Sequence, residues 1–252
     1  MKPRETARAL HIDLDGRQIA YQLRRSARRT LGLYVARDAV RVAAPLRLAQ
    51  AHIDAFLRDR RHWLLARLDA WAQQPPPPRI VLGDGAVFPL FDAPCRVRVQ
   101  RGRGAAQWHA AEGDAAAAVS VMCASGGSVF GAVMRAIKAR ARADFEVRVA
   151  HFAAALGVDA PPLMLSSART RWGSCSARAI RLNWRLIHFP PAVIDYVVAH
   201  EVAHLRHMNH SPAFWACVNA LYPMAQHQRQ RLRALGRDLP ELVDGEAGAG
   251  AP

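Results

Sequence analysis

His200-Glu201-Val202-Ala203-His204, followed six residues later by His210, reads H-E-x-x-H and a further histidine. An α-helix turns once every 3.6 residues, so side chains four apart lie about 40° from each other on one face. His200 and His204 can therefore aim imidazole nitrogens at one ion, at roughly 2.0–2.1 Å for zinc. Glu201 is angled away from the ion by its single-residue offset and reaches the water bound to it. Two ligands and one base at this spacing point to a metal-dependent hydrolase.

The flanking residues place the motif on a helix. Pro190 and Pro191 suit a helix start, where a missing N–H costs nothing. Val193, Ile194, Val197, Val198, Val202 and Leu205 recur at three- and four-residue spacing, the pattern of a largely buried helix. The bland alternative is a histidine pair on a solvated face. Two histidines and a glutamate among apolar neighbours instead need partners, because burying an unpaired polar group costs on the order of several kcal/mol.

Met208 ends the apolar period, and Asn209 suits the left-handed conformation that closes a helix. Ser211-Pro212 reads as an N-cap with proline at the next helix's first position. His210 then sits at the bend, able to return towards His200 and His204. Three protein ligands and one water compose a catalytic zinc site, whereas structural sites close with four. His207 lies seven residues beyond His200, a rise of about 10.5 Å. That is too far for both to bind one ion, so His207 reads as a polar residue behind the ligands.

The chain has 252 residues, enough for one large domain or two small ones, and 51% are hydrophobic. No run of 18 apolar residues is present, which argues against a membrane span. The opening residues 1–5 are charged and lead into no apolar signal segment. Cys95, Cys123, Cys175 and Cys217 are scattered without a C-x-x-C pair, so free thiols in a cytoplasmic setting are expected. The formal net charge is +15, almost all of it arginine. Such a charge attracts nucleic acid or acidic substrates in general. Arg24, Arg25, Arg28 and Arg29, then Arg58, Arg60 and Arg61, and Arg135, Lys138, Arg140 and Arg142 are patches, yet no nucleic-acid motif accompanies them.

Along the chain, residues 10–14, 18–23, 31–35 and 39–43 read as strands, with a turn at Asp15-Gly16. A single helix is expected over 48–72, stopped by the proline run at 75–78, a stiff spacer. Strand texture returns over 79–123. Gly126-Gly127-Ser128 opens a long helix to Leu156, closed by Gly157. Residues 163–171 and 178–187 read as the arms of a β-hairpin around Trp172–Ser176, since Ile180, Leu182, Trp184 and Leu186 alternate with polar residues. The expected class is α+β, with an N-terminal strand-rich region over 1–125 carrying one helix, a zincin-like catalytic region over 126–240, and a disordered tail over 241–252.

Arg171-Trp172-Gly173-Ser174-Cys175, Leu182-Asn183-Trp184-Arg185, Asp195-Tyr196-Val197-Val198, the H-E-x-x-H motif and Asn209-His210-Ser211-Pro212-Ala213-Phe214-Trp215 together resemble the YgjP-like family of zinc metallopeptidases, related to the SprT-like zincins. The resemblance is strongest over 165–235 and extends more loosely to the N-terminal part. It implies a zincin-like protease region with one zinc ion on His200, His204 and His210, and Glu201 as general base. Metzincins share the histidine spacing but carry glycine where His207 stands, which disfavours them. The Gly/Ala-rich stretch over 102–127 departs from common family sequences.

Four further residues are candidates for binding substrate or supporting the ligands: Arg171, Ser174, Asp195 and Tyr196. Arg171 and Ser174 could stabilise an oxyanion, or simply form a turn under Trp172. Asp195 could orient a ligand histidine. Tyr196, one turn before His200, could stack beside the site or serve the core. Cys175 has no base or helix terminus to activate it as a nucleophile. The leading expectation is a metallopeptidase in which zinc-bound water is activated by Glu201, acting on a peptide or protein. A metal-dependent hydrolase of a nucleotide or other phosphate compound is the alternative. A non-catalytic, arginine-rich nucleic-acid-binding protein is the second.

Overall fold

A computed structural model describes residues 8–36, 39–73, 75–113, 116–168 and 170–245. The charged opening at 1–5 therefore lies outside the described residues. The chain divides into two compact units, Met1–Pro76 and Pro77–Pro252. The division falls inside the proline spacer and not at 125/126.

In the first unit, β1 (Arg8–Leu14), β2 (Arg17–Ser26), β3 (Gly32–Ala36) and β4 (Ala39–Pro45) precede α1 (Gln50–Asp59) and α2 (Arg61–Ala72). The sheet order is β1-β2-β4-β3, antiparallel except for the parallel β2–β4 pair. Asp15 and Gly16 both take positive φ, 55° and 81°, as a two-residue hairpin turn between right-twisted strands requires. Alternate residues Ile12, Leu14, Ile19, Tyr21, Leu23, Val40 and Val42 form a core with Ile53, Leu57 and Leu64 of the helices. The single helix expected over 48–72 is broken at Arg60, where φ is −101° and ψ is 11°. Its apolar stripe runs on across the break, so hydrophobic period alone does not reveal it.

The second unit begins with β5 (Arg79–Leu82), β6 (Val87–Leu90), β7 (Ala93–Arg101), β8 (Gln107–His109) and β9 (Ala117–Cys123). Sheet order β6-β7-β9-β8 places Phe88, Val97, Val119 and Val121 in one core with the next helix, which is why 79–123 belongs to this unit. That helix, α3 (Val129–Leu156), starts and stops where the sequence signals it. Ser128 Oγ accepts the Gly131 N–H, and Gly157 closes the helix at φ 70°. Its face of Val133, Ile137, Ala141, Phe145 and Val149 is buried.

The region expected as a hairpin is built differently. β10 (Leu163–Ser166), β11 (Gly173–Ser176) and β12 (Ala179–Asn183) form a sheet in the order β10-β12-β11. β10 runs parallel to β12, and the hairpin is β11 with β12. Gly173–Ser176, four of the five residues expected as the turn, are thus themselves an edge strand. Trp184–His188 is a 3₁₀ turn and not the end of a strand. α4 (Pro191–Ala203), α5 (Pro212–Leu221) and α6 (Ala225–Leu235) follow, and β13 (Glu241–Asp244) pairs in parallel with β5. Part of the tail expected to be disordered is therefore ordered, while 246–252 lies outside the described residues. Among the described residues no helix is long and apolar enough to cross a membrane.

His188, on the 3₁₀ turn, is 3% exposed. Its Nδ1–H donates to the Pro89 carbonyl at 2.6 Å, while Nε2 is buried without a partner. Burial is the main cause that pushes its pKa down to about 4, with Arg185 acting in the same direction and the Pro89 bond against it. The folded protein thus keeps His188 neutral where an unfolded chain would protonate it near pH 6.5. The stabilisation is complete above pH 6.5 and is lost as pH falls towards 4, at about 1.4 kcal/mol per unit. Urea midpoints are expected to fall across that window, and less steeply in His188→Gln. Equal slopes in both proteins would remove His188 as the cause.

Candidate metal centre

α4 carries His200 and Glu201 in its last turn. Pro191 occupies N1 after Pro190, and Val193, Ile194, Val197, Val198, Ala199, Val202 and Ala203 are all buried. A helix apolar on all sides lies inside a protein, and this one gives the site a rigid floor.

The helix ends earlier than its hydrophobic period suggests. His204 is its C-cap, and Leu205 and Arg206 N–H groups bond back to the carbonyls of Val202 and Ala203, at 2.9 and 3.1 Å. Asn209 is not among the positive-φ residues, and Met208 is 66% exposed. What turns the chain is His204 itself, whose Nδ1–H donates to the His207 carbonyl at 3.0 Å. This bond closes the bend and fixes the His204 tautomer, leaving Nε2 as the free lone pair. His207 thus lies behind His204 and meets it through its backbone carbonyl.

After the bend, Ser211 Oγ accepts the Phe214 N–H at 3.4 Å, and Pro212 starts α5. His210 is thereby returned to α4: its Nε2 lies 3.2 Å from His200 Nε2. One ligand nitrogen from each of His200, His204 and His210 falls within 4.8 Å of the others. Two nitrogens on a tetrahedral zinc, each at roughly 2.0–2.1 Å, stand about 3.3 Å apart, so the closest pair already has that spacing. The donor set fits the ion: three imidazoles, one with its tautomer held by a carbonyl.

Each histidine sits in a different setting. His204 is buried, His200 half-buried and His210 exposed, so the cluster opens to solvent on the side of His210. Burial, followed by the neighbouring His204 and His210, pushes the His200 pKa down to about 4. His204 is also lowered, chiefly by burial. Neutral imidazoles are the form that binds metal. Phe214 stacks on His204 at 4.5 Å between ring centroids, and Trp215 lies tilted against His200 at 5.7 Å and stacked on His210 at 5.8 Å. The Phe-Trp pair at the start of α5 therefore walls the triad.

Glu201 is buried at 6% exposure, and its Oε2 has no hydrogen-bond partner. Burial raises its pKa to about 7, with Arg171 pulling the other way. The other side of this carboxylate is β11. A Cβ added to Gly173 would lie against Glu201 Oε1 and only 2.6 Å from Cδ and Cγ. Gly173 has an ordinary backbone, so its role is to let strand and carboxylate approach. Glycine inside a strand pattern is a recognised sign of close approach. That signal is present in the sequence, although the residue was not among the candidates.

The four supporting candidates separate in space. Arg171 lies near enough to influence Glu201, and its loop is pinned by Asn183, whose Nδ2 donates to the carbonyls of Ala168 at 2.7 Å and Arg171 at 3.3 Å. Tyr196 is buried beside His200, with ring centroids 6.0 Å apart, and so belongs both to the core and to the wall around His200. Ser174 pairs across the sheet with exposed Arg181. Successive strand residues face opposite sides, so Ser174 points away from the face on which Gly173 meets Glu201. Asp195 is ion-paired with Arg148 of α3, which also holds Asp144 at 2.6 Å. It fastens α4 to α3 and is committed there instead of to a ligand histidine. Cys175 shares Gly173's face, where burial first and Glu201 second push its thiol up to about 11. A thiol held protonated is a poor nucleophile.

The family described as YgjP-like, metallopeptidase domain, matches residues 29–235. Two solved structures are similar to part of the chain. The metallopeptidase zymogen abylysin of Pyrococcus abyssi shares 23% identity at a TM-score of 0.35, over 38% of this chain and 98% of its own. The metallopeptidase zymogen jannalysin of Methanocaldococcus jannaschii shares 15% identity at a TM-score of 0.34, over 36% of this chain and 95% of its own. No curated protein matches the chain.

Proposed function

This chain belongs to the YgjP-like metallopeptidase family, and we propose that it hydrolyses peptide bonds using one zinc ion on His200, His204 and His210, with Glu201 as general base. The observation that carries the reading is the convergence of three imidazole nitrogens beside a buried carboxylate with one unpartnered oxygen. Zinc at such a site supplies a Lewis acid and makes water nucleophilic near neutral pH. Glu201 takes the proton of the attacking water at Oε2 and passes it to the departing amine. Gly173 keeps that carboxylate in place from the opposite side.

Among the described residues β11 has a partner on one side only, β12. Its free edge offers N–H and C=O groups to an extended peptide next to Glu201, a common way of holding a chain for cleavage. Arg171 is a cation close to Glu201 and available to a substrate oxygen. Ser174, on the outer face, takes no part. The four free cysteines suit a reducing, cytoplasmic setting. A nucleotide substrate or a nucleic-acid partner rests on net charge, which by itself identifies neither.

Purified protein is expected to hold about one equivalent of zinc, by elemental analysis, and to cleave unfolded protein substrates. A chelator should stop cleavage and added zinc restore it. Metal content should fall away in a His200→Ala/His204→Ala double variant. Undiminished metal in that variant would place the ion elsewhere.

A further inference from the structure

Trp215 packs against His200, His210 and Phe214, and it also meets a cation. Arg229 of α6 sets its guanidinium 4.8 Å above the indole. Trp215 and Asn219 are one turn apart on α5, and Gln226 and Arg229 one turn apart on α6, so each pair shares a helix face. Together they line a cavity of about 310 Å³. The cavity therefore begins at a ring that also touches His200 and His210.

Its chemistry is one-sided. Arg229 is exposed, and among the described residues no carboxylate pairs with it. Arg233, one turn further along α6, has no carboxylate partner among the described residues either, and both arginines act on Tyr196 beside His200. Asn219 and Gln226 add amide donors, and the indole offers an apolar wall. A flat anionic group on a short apolar stem matches this lining: the cation and amides meet the charge, and the indole covers the stem.

We propose that this cavity is a specificity subsite that receives a glutamate side chain of the peptide substrate, close to the bond to be cut. The assignment rests on the metallopeptidase reading above. Arg229 supplies the selective charge, and its cation–π contact with Trp215 holds it over the cavity. Phosphate groups share the anionic chemistry and form the competing arm of the test.

Binding separates the subsite from catalysis. Blocked heptapeptides that differ only in carrying Glu, Gln or Lys at one position, moved along the chain, are titrated against full-length Glu201→Gln protein in zinc buffer. One position should favour Glu over Gln by about fivefold, the ratio set by roughly 1 kcal/mol from a partly exposed ion pair. Lys should bind more weakly still. Arg229→Gln should erase the preference, Arg229→Lys should keep part of it, and Arg103→Gln, with the same loss of charge in the loop after β7, should leave it intact.

No position favouring Glu, or a preference that survives Arg229→Gln, overturns the subsite. Arg229-dependent binding of ATP in place of any acidic peptide also overturns it. A glutamate preference found alongside failure of the wild-type protein to cut any peptide upholds the subsite and sinks the hydrolase reading alone.

Discussion

Glu201→Gln is expected to lower kcat about a thousandfold, within the range for a lost general base, while the protein keeps its zinc. Glutamine has almost the same shape, so the close contact with Gly173 and the buried setting of residue 201 survive the change. What disappears is the ability of Oε2 to hold a proton. Removing a buried carboxylate that burial strains towards protonation should also leave the fold as stable as before, or more so. Peptide cleavage by purified variant and wild type, with zinc measured in the same samples, reads all of this. Full activity with zinc retained would remove Glu201 from the mechanism. Lost activity with zinc also lost would mean that the residue acts on the metal site and not on the proton.

The convergence of His200, His204 and His210 is legible in the sequence because its signals are local. His200 and His204 are four apart on one helix, and Ser211-Pro212 starts the next helix by a capping bond three residues long. The limits of α3 are legible for the same reason, a serine cap at one end and a left-handed glycine at the other. Local signals fail where pairing is distant. Nothing in the alternation of Ile180, Leu182, Trp184 and Leu186 says that β12 lies between a parallel and an antiparallel neighbour. Asp195 looks available to a histidine until a helix 47 residues away brings Arg148 against it. Likewise Arg229 has no visible reason to matter until α6 lays it over Trp215.

Gly173→Ala carries the second large effect, and its consequences differ from those of Glu201→Gln. The new methyl cannot coexist with the Glu201 side chain, since its carbon would lie 2.6 Å from Cδ and Cγ. Gly173 is not in the left-handed region, so alanine adds no backbone strain, and the collision alone must be relieved. α4 is held by core contacts and by the Arg148–Asp195 pair, so the carboxylate or the strand gives way. A displacement of about 1 Å from reacting geometry costs on the order of a hundredfold in rate, and overpacking costs about 1–3 kcal/mol of stability. Zinc should stay, because the histidines are untouched. Glu201→Ala makes room for the methyl, so the stability cost of Gly173→Ala should largely vanish when Glu201 is already alanine. A cost that persists in the double variant would locate the damage in β11 itself. Its disappearance would tie the glycine to the position of Glu201.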